Sequence, residues 1–432
     1  MKKVGFVFVM ALLVSFSANA QDWPQFLGPY RNGVSDQKGV IRSFPSGGLE
    51  VLWSAPLGIG YGGPVIKEGK VYILDRDDEY GDIMKCFDLN SGTELWRYGY
   101  EAPGSVMFPG SRSVPIVDGN FVYSCGPYGD LYCIDINSHQ PVWNKNVWKD
   151  YGGENIPTWA ISQCPMIYGN LLIIASQAPE AGVVAYNKVT GAEVWKTPCL
   201  GEVGYVSPTL VKISGEDHIA YVTASGRGAG QGGKVVGIQP LTGKILWEFD
   251  EWDCHIPVAP ATDAGDNKLL IVGGYELGAL MIQVVKNSDG SFSTKELYRT
   301  VEFGDQTKPP LLIDGYFYAQ YGTNSRRDGL ACMSLDGEVM WKTKRDPDFN
   351  KGSMIYADGL IIATDGAKSL FLVEPDPTGF KPLASSEILT AAEPGEGMMA
   401  NFGTQNWGPL ALSNGKLLIR DQEKMLCIKI TQ

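Results

Sequence analysis

Histidine is nearly absent: the 432 residues hold three, His139, His218 and His255, far apart and without the short spacing that brings two imidazoles onto one ion. A zinc site of the usual kind is therefore excluded, and no metal ligands are assigned. Charge is also scarce. Only 19% of residues are charged, and 48 acidic against 36 basic residues give a formal net charge of -12. An acidic surface repels phosphate backbones, so nucleic acid is not an expected partner. Beyond the first 20 residues no apolar run is long enough to span a bilayer, so no transmembrane segment is expected. The Gly-rich "SGRGAGQGG" (225–233) lacks the Lys-Ser/Thr ending of a phosphate loop and reads as a long turn.

The first 20 residues have the three parts of a secretory leader: Lys2 and Lys3, an apolar run over 4–16, and Ala18-Asn19-Ala20 ahead of Gln21. The expected organisation is a signal peptide over 1–20, an N-terminal extension over 21–48 and one repeat domain over 49–432, in a periplasmic or secreted monomer. Losing the two lysines changes 36 minus 48 into 34 minus 48, a net charge of -14.

Glycine (53) and tryptophan (11) are abundant, and they recur in register. "FDLNSGTELW" (87–96) returns as "YNKVTGAEVW" (186–195) and "IQPLTGKILW" (238–247), and more loosely as "IDINSHQPVW" and "SLDGEVMW". Each follows a second pattern, a Pro, a Gly-centred turn and an apolar run, as in "GPVIKEGKVYIL" and "PPLLIDGYFYAQ". Such turns flanked by Val, Ile and aromatic residues make hairpins. The anchors Pro64, Pro115, Pro165, Pro208, Pro260, Pro310, Met354 and Pro409 lie about fifty residues apart, the length of four short strands with turns. The fold class is therefore all-β, an eight-bladed β-propeller of four-stranded antiparallel blades.

The eighth unit ends one strand short at "MLCIKI" (425–430), and "LEVLWSAPL" (49–57) carries the missing strand, so the N-terminal strand should close the ring. Asp88, Asn187 and Gln239 should bond the turns. Trp53, Trp96, Trp143, Trp195, Trp247 and Trp341 should dock between blades. Blades five and seven lack a clear Trp, and Phe292 and Phe380 are expected in its place.

The x-D-x-x-[ST]-G-x-x-x-W signature, together with "DWPQFLGPYRNGVSD" (22–36), resembles the pyrroloquinoline-quinone (PQQ) type of eight-bladed propeller, over nearly all of the mature chain. The resemblance implies one of two functions. One is that of the quinoprotein dehydrogenases, with PQQ and calcium. The other is that of the non-catalytic scaffold of the outer-membrane β-barrel assembly machinery, BamB. The chain has no adjacent Cys pair, no Gly-Asn-Pro segment and no C-x-x-C-H, all features of dehydrogenase members, and Gln21 stands where a BamB-like lipoprotein has its lipidated Cys.

Cys86, Cys133, Cys332 and Cys427 share one repeat position and read as fillers of a small buried slot. Cys125 and Cys164 fall in neighbouring connections where a disulfide is open to them outside the cytoplasm. The acidic "DRDDEYGD" (75–82), with Asp75, Asp77 and Glu79, reads as a solvated loop rather than a calcium loop.

Function should sit where the repeats differ, in the segments entering each first strand on one face. They carry Arg112, Gln163, His255, Gln306, Lys308, Lys351 and Gln405, with Trp159, Tyr205 and Trp407 as aromatic surfaces, and neighbouring loops add Arg227, Arg326 and Arg327. Cations amid aromatics in a concave place suit a small anionic or sugar-like ligand. The first reading is a non-catalytic binding or scaffold propeller with a protein, carbohydrate or small anionic partner at the channel face. The second is a PQQ-dependent alcohol or sugar dehydrogenase, with Arg112 and Lys308 on the quinone and Asp305 as base. A polysaccharide-binding module is the third.

Overall fold

Alternating apolar strands joined by Gly-centred turns bury one face against the next hairpin, and eight such units close on themselves. The structure, a computed structural model, describes residues 21–226, 232–322, 326–391 and 404–432. The expected leader (1–20) and Arg227 lie outside the described residues. Eight sheets are present, seven of four strands and one of five. The first blade runs Val65–Lys67, Lys70–Asp77, Gly81–Asp88 and Glu94–Glu101, and the sixth runs Leu311–Ile313, Tyr316–Gly322, Arg327–Ser334 and Val339–Lys342. In the last blade Val51–Pro56 pairs antiparallel with Lys424–Lys429, placing Trp53 opposite Cys427. The ring thus closes through the N-terminal strand.

The repeat position of the cysteines acquires a geometric meaning. Cys86, Cys133, Cys332 and Cys427 each lie opposite a docking Trp, followed by a one-residue register shift. The indole lies over this position, so little volume is left. Ala185 and Gly237 fill it in blades three and four, and a Cβ on Gly237 would come within 1.9 Å of the Trp247 ring.

The indoles other than Trp247 then reach the next blade's turn. Trp53 Nε1 donates to Leu89 O at 2.9 Å, Trp143 to Lys188 O at 3.1 Å, Trp195 to Pro240 O at 3.1 Å and Trp341 to Asp376 O at 2.8 Å. The receiving glycines need both their positive φ and their missing side chain: Gly92 has φ 71° and a Cβ there would be 2.5 Å from Trp53. Asp88 Oδ1 accepts from the Asn90 and Ser91 amides, and Asn187 and Gln239 serve their turns likewise. In blade two His139 takes the glycine's place at φ 59° and stacks on Trp96, with centroids 4.9 Å apart.

Two assignments change. The register puts Tyr298, not Phe292, opposite Met281, where the shift falls in blade five. Tyr298 packs against Gly337 of blade six, 2.8 Å from the Cβ a larger residue would carry. The hairpin of Gly278–Lys286 and Phe292–Thr300 has nine residues in each strand, which carries its turn beyond the reach of Trp247. Trp247 Nε1 donates instead to His218 Nδ1 of its own blade at 3.0 Å. In blade seven the docking position holds Ala384, and Phe380 belongs to the turn that receives Trp341, at 6.0 Å. Asp75, read as part of a solvated loop, is 3% exposed within a strand and pairs with Lys85 at 2.6 Å.

The extension forms a strap across the face of the first hairpin turns. Trp23 exchanges backbone hydrogen bonds with Ile66 of blade one, Pro24 O accepts from Val117 of blade two, and Arg31 donates to Pro165 O and Pro208 O of blades three and four. Val34–Ser35 then adds a parallel strand to blade seven, and Val40 bridges Thr431 of blade eight. Gly28 allows the chain to cross Trp23, because a Cβ there would lie 2.8 Å from the indole. The strap thus crosses the channel on this face.

Candidate functional site

On the opposite face all eight blade-to-blade connections converge on one cavity of about 300 Å³. They supply, in order, Tyr61; Met107, Phe108 and Arg112; Trp159 and Ser162; Tyr205 and Ser207; Ile256 and Val258; Gln306, Thr307 and Lys308; Lys351; and Trp407. Tyr275, from a hairpin of blade five, also lines it, and so do Cys164 and, from the strap, Phe26.

The walls are aromatic. Tyr61 lies 5.6 Å from Trp407 and 6.1 Å from Phe108, and Trp159 meets Tyr205 edge to face at 5.5 Å. Tyr61 donates its hydroxyl to Gln405 Oε1 at 2.6 Å. Phe108 and Lys351 sit at φ 60° in the left-handed region, and the neighbouring Ala160 at 56°. Backbone strain of this kind in non-glycine residues gathers at functional sites.

Arg112, Lys308 and Lys351 are the ionisable lining residues other than tyrosine and cysteine; no Asp or Glu lines the cavity among the described residues. Arg112 is held by carbonyls, Nη1 on Trp159 O and Nη2 on Phe108 O and Met107 O, and its Nε is buried without an acceptor. Lys308 Nζ donates to Trp407 O at 3.1 Å, while Lys351 Nζ stands 4.8 Å over the Trp407 ring, a cation–π geometry. Burial lowers the pKa of both lysines, with Asp305 opposing the shift, and it pulls Arg112 down to about 10. Ser162 Oγ, Thr307 Oγ1 and Trp407 Nε1 are further buried donors without partners in these walls. A cavity with uncompensated cations and spare donors favours an anion.

Of the ten ligand candidates, Arg112, Trp159, Tyr205, Gln306, Lys308, Lys351 and Trp407 line the cavity, and Gln163, His255 and Gln405 do not. Gln163 is spent on Gly204 O and the Ser162 amide, and Gln405 on Tyr61. His255 is exposed and bonds Ser225. Asp305 does not reach the cavity either. It is 1% exposed and accepts the amides of Thr307, Lys308 and Gln320 at 2.8, 3.0 and 3.2 Å, so its carboxylate braces the loop that carries Lys308. Burial pushes it up to about 6. Arg326 and Arg327 sit in ion pairs with Asp328 and Asp348.

Cys125 and Cys164 are both free, buried thiols. Cys164 Sγ accepts the Val114 amide at 3.2 Å on the cavity wall, whereas Cys125 Sγ turns to the carbonyl of Gly126, so each sulfur has its own partner. Tyr61, Phe108 and Phe26 were not singled out by sequence. Tyr61 precedes the first anchor Pro64 as the other candidates precede theirs, a signal that the repeat offered.

Comparison with known proteins places this geometry. Residues 79–250 match the family model described as outer membrane protein assembly factor BamB. The quinoprotein alcohol dehydrogenase PedH of Pseudomonas putida is 30% identical over 154 residues, 33% of this chain and 24% of that protein. The quinohemoprotein alcohol dehydrogenase of Comamonas testosteroni is 24% identical over 192 residues, 42% of this chain and 26% of that protein. The alignments thus span about a quarter of these relatives' length. Among solved structures, a europium-containing methanol dehydrogenase superposes with a TM-score of 0.63 at 14% identity, covering 92% of this chain and 89% of that one. The Comamonas enzyme gives 0.57 at 11% identity, over 95% and 81%. These likenesses are of fold. Among the described residues no helix is long and apolar enough to cross a membrane. With its docking repeat and its closed ring of eight blades, the chain is an eight-bladed β-propeller, similar over part of its length to the quinoprotein dehydrogenases and to the BamB family model.

Proposed function

We propose that this propeller works outside the cytoplasm as a non-catalytic binding protein, whose cavity takes a small organic anion with a flat apolar body. The observation that carries the reading is the lining itself: three cations among aromatic walls, with no carboxylate among the described residues. Aromatic surfaces bind a flat body, and Arg112, Lys308 and Lys351 attract its acidic groups.

The dehydrogenase reading asks for PQQ, calcium and a base. The three cations suit the carboxylates of the quinone. Calcium does not fit the described lining, because it takes six to eight oxygen ligands with carboxylates prominent among them, and among the described residues the lining offers only hydroxyl and amide oxygens from side chains. Asp305, the candidate base, is turned into the backbone. The polysaccharide reading has aromatic platforms in its favour, but the strap crosses the channel, which suits a short ligand better than a polymer.

Thermal shift with matched ligands tests the proposal. A planar aromatic carboxylate should raise the melting temperature, its methyl ester should not, and Lys351→Met should abolish the difference. Equal stabilisation by acid and ester would refute an anion site.

A further inference from the structure

The strap does more than cross the channel: it carries a cation to the cavity's far end. Arg31, at φ 54°, donates Nη1 to Pro165 O at 3.2 Å and to Gln25 Oε1 at 3.3 Å, and Nη2 to Pro208 O at 3.0 Å. Its acceptors are neutral, and its Nε is buried with no acceptor at all. Burying a guanidinium without a carboxylate is costly, and a neutral amide could have anchored the strap to the same carbonyls. Pro165 adjoins Cys164, whose sulfur lines the cavity, and Phe26 of the same strap lines it too. Arg31 thus binds the carbonyl next to Cys164, whose sulfur accepts the Val114 amide; burial pushes this thiol up, and Arg31 opposes the shift.

We infer that Arg31 is the fixed cation of the cavity floor, so that the N-terminal strap completes the binding site and an acidic ligand seats its anionic end toward Cys164 and its aromatic body toward the mouth. This rests on the anion reading above and adds Arg31 to it as a positioning residue. It does not touch the ligand directly; it sets the potential that the ligand's acid end meets.

Cys164 makes the floor measurable without knowing the ligand. The native full chain is treated separately with iodoacetate, an anion, and iodoacetamide, its neutral analogue, and the rates at each cysteine are read by peptide mass mapping. In both reactions the thiolate displaces iodide from carbon, and the thiol proton goes to buffer. Exposed Cys199 is the internal reference. The iodoacetate-to-iodoacetamide ratio at Cys164 should exceed that at Cys199 by about tenfold, as for an anion drawn into a cationic, low-dielectric cleft. In Arg31→Gln the excess should fall to within about twofold of Cys199, and Arg31→Lys should keep it. Should Arg31→Gln not fold, Gln25→Glu places a carboxylate on Arg31 and should lower the excess in the same way. An excess that survives both Arg31→Gln and Gln25→Glu overturns the role of Arg31 and leaves the anion cavity standing. No excess in the unmodified chain overturns both. Because burial pushes the Cys164 thiol up, the reactions are run to the highest pH at which the fold persists, and a Cys164 that neither reagent alkylates there also overturns the proposal.

Discussion

Single positions in this fold carry two kinds of constraint, volume and charge. The slot beneath each docking ring is the clearest case of the first, for Gly237 has an ordinary φ and is glycine only because Trp247 lies where a Cβ would go. Gly237→Ala should lower unfolding free energy in urea by about 2 kcal/mol, from overpacking. At the same slot Cys86→Ala should cost only about 1 kcal/mol, because it removes a sulfur rather than adding a clash. Equal effects would contradict the slot. Asp305 shows the second constraint. Its folded pKa of about 6 stands above the ordinary 3.8, so its contribution to stability is fully present below the unfolded value and is lost as pH rises through 6. The stability of the unmodified chain relative to Asp305→Asn should therefore fall by roughly 2 to 3 kcal/mol between about pH 4 and pH 7. A difference that grows with pH would contradict this.

Elements were legible where the repeat was strict. The docking rings, the turn-bonding Asp, Asn and Gln and the closure by Val51–Pro56 all follow from spacing, since one Trp per hairpin fixes both register and face. Blades five and seven were misread because the signature ties the ring to a turn of fixed length. In blade five the hairpin grows to nine residues a side, and the docking ring moves from Phe292 to Tyr298. Tyr298→Ala should accordingly cost about 3 kcal/mol, and Phe292→Ala about 1 kcal/mol or less. The reverse order would restore the sequence assignment. The strap was less legible. Its residues repeat nothing, so pattern reading left 21–48 as an appended extension, whereas Trp23 is 2% exposed and Arg31 reaches two blades across the channel.

At the scale of the molecule, sequence located the site by a topological argument: every connection into a first strand opens on one face, so residues there that escape the repeat must meet. That logic brought seven candidates to one cavity. It could not say which side chains would be consumed on the way, as Gln163, Gln405 and Asp305 are by neighbouring amides, carbonyls and a hydroxyl. Nor could it show that the strap crosses the far end. The proposal at stake is that this eight-bladed propeller is a receptor for an organic anion, without calcium or turnover. Calorimetric titration of residues 21–432 with PQQ, in the presence of a strong calcium chelator, tests it most directly. The expected result is saturable binding that calcium does not strengthen, that Lys308→Met weakens, and that yields no reduction of dye when alcohols or sugars are added. Binding that appears only with calcium, accompanied by dye reduction, would contradict it and make the cavity an active site.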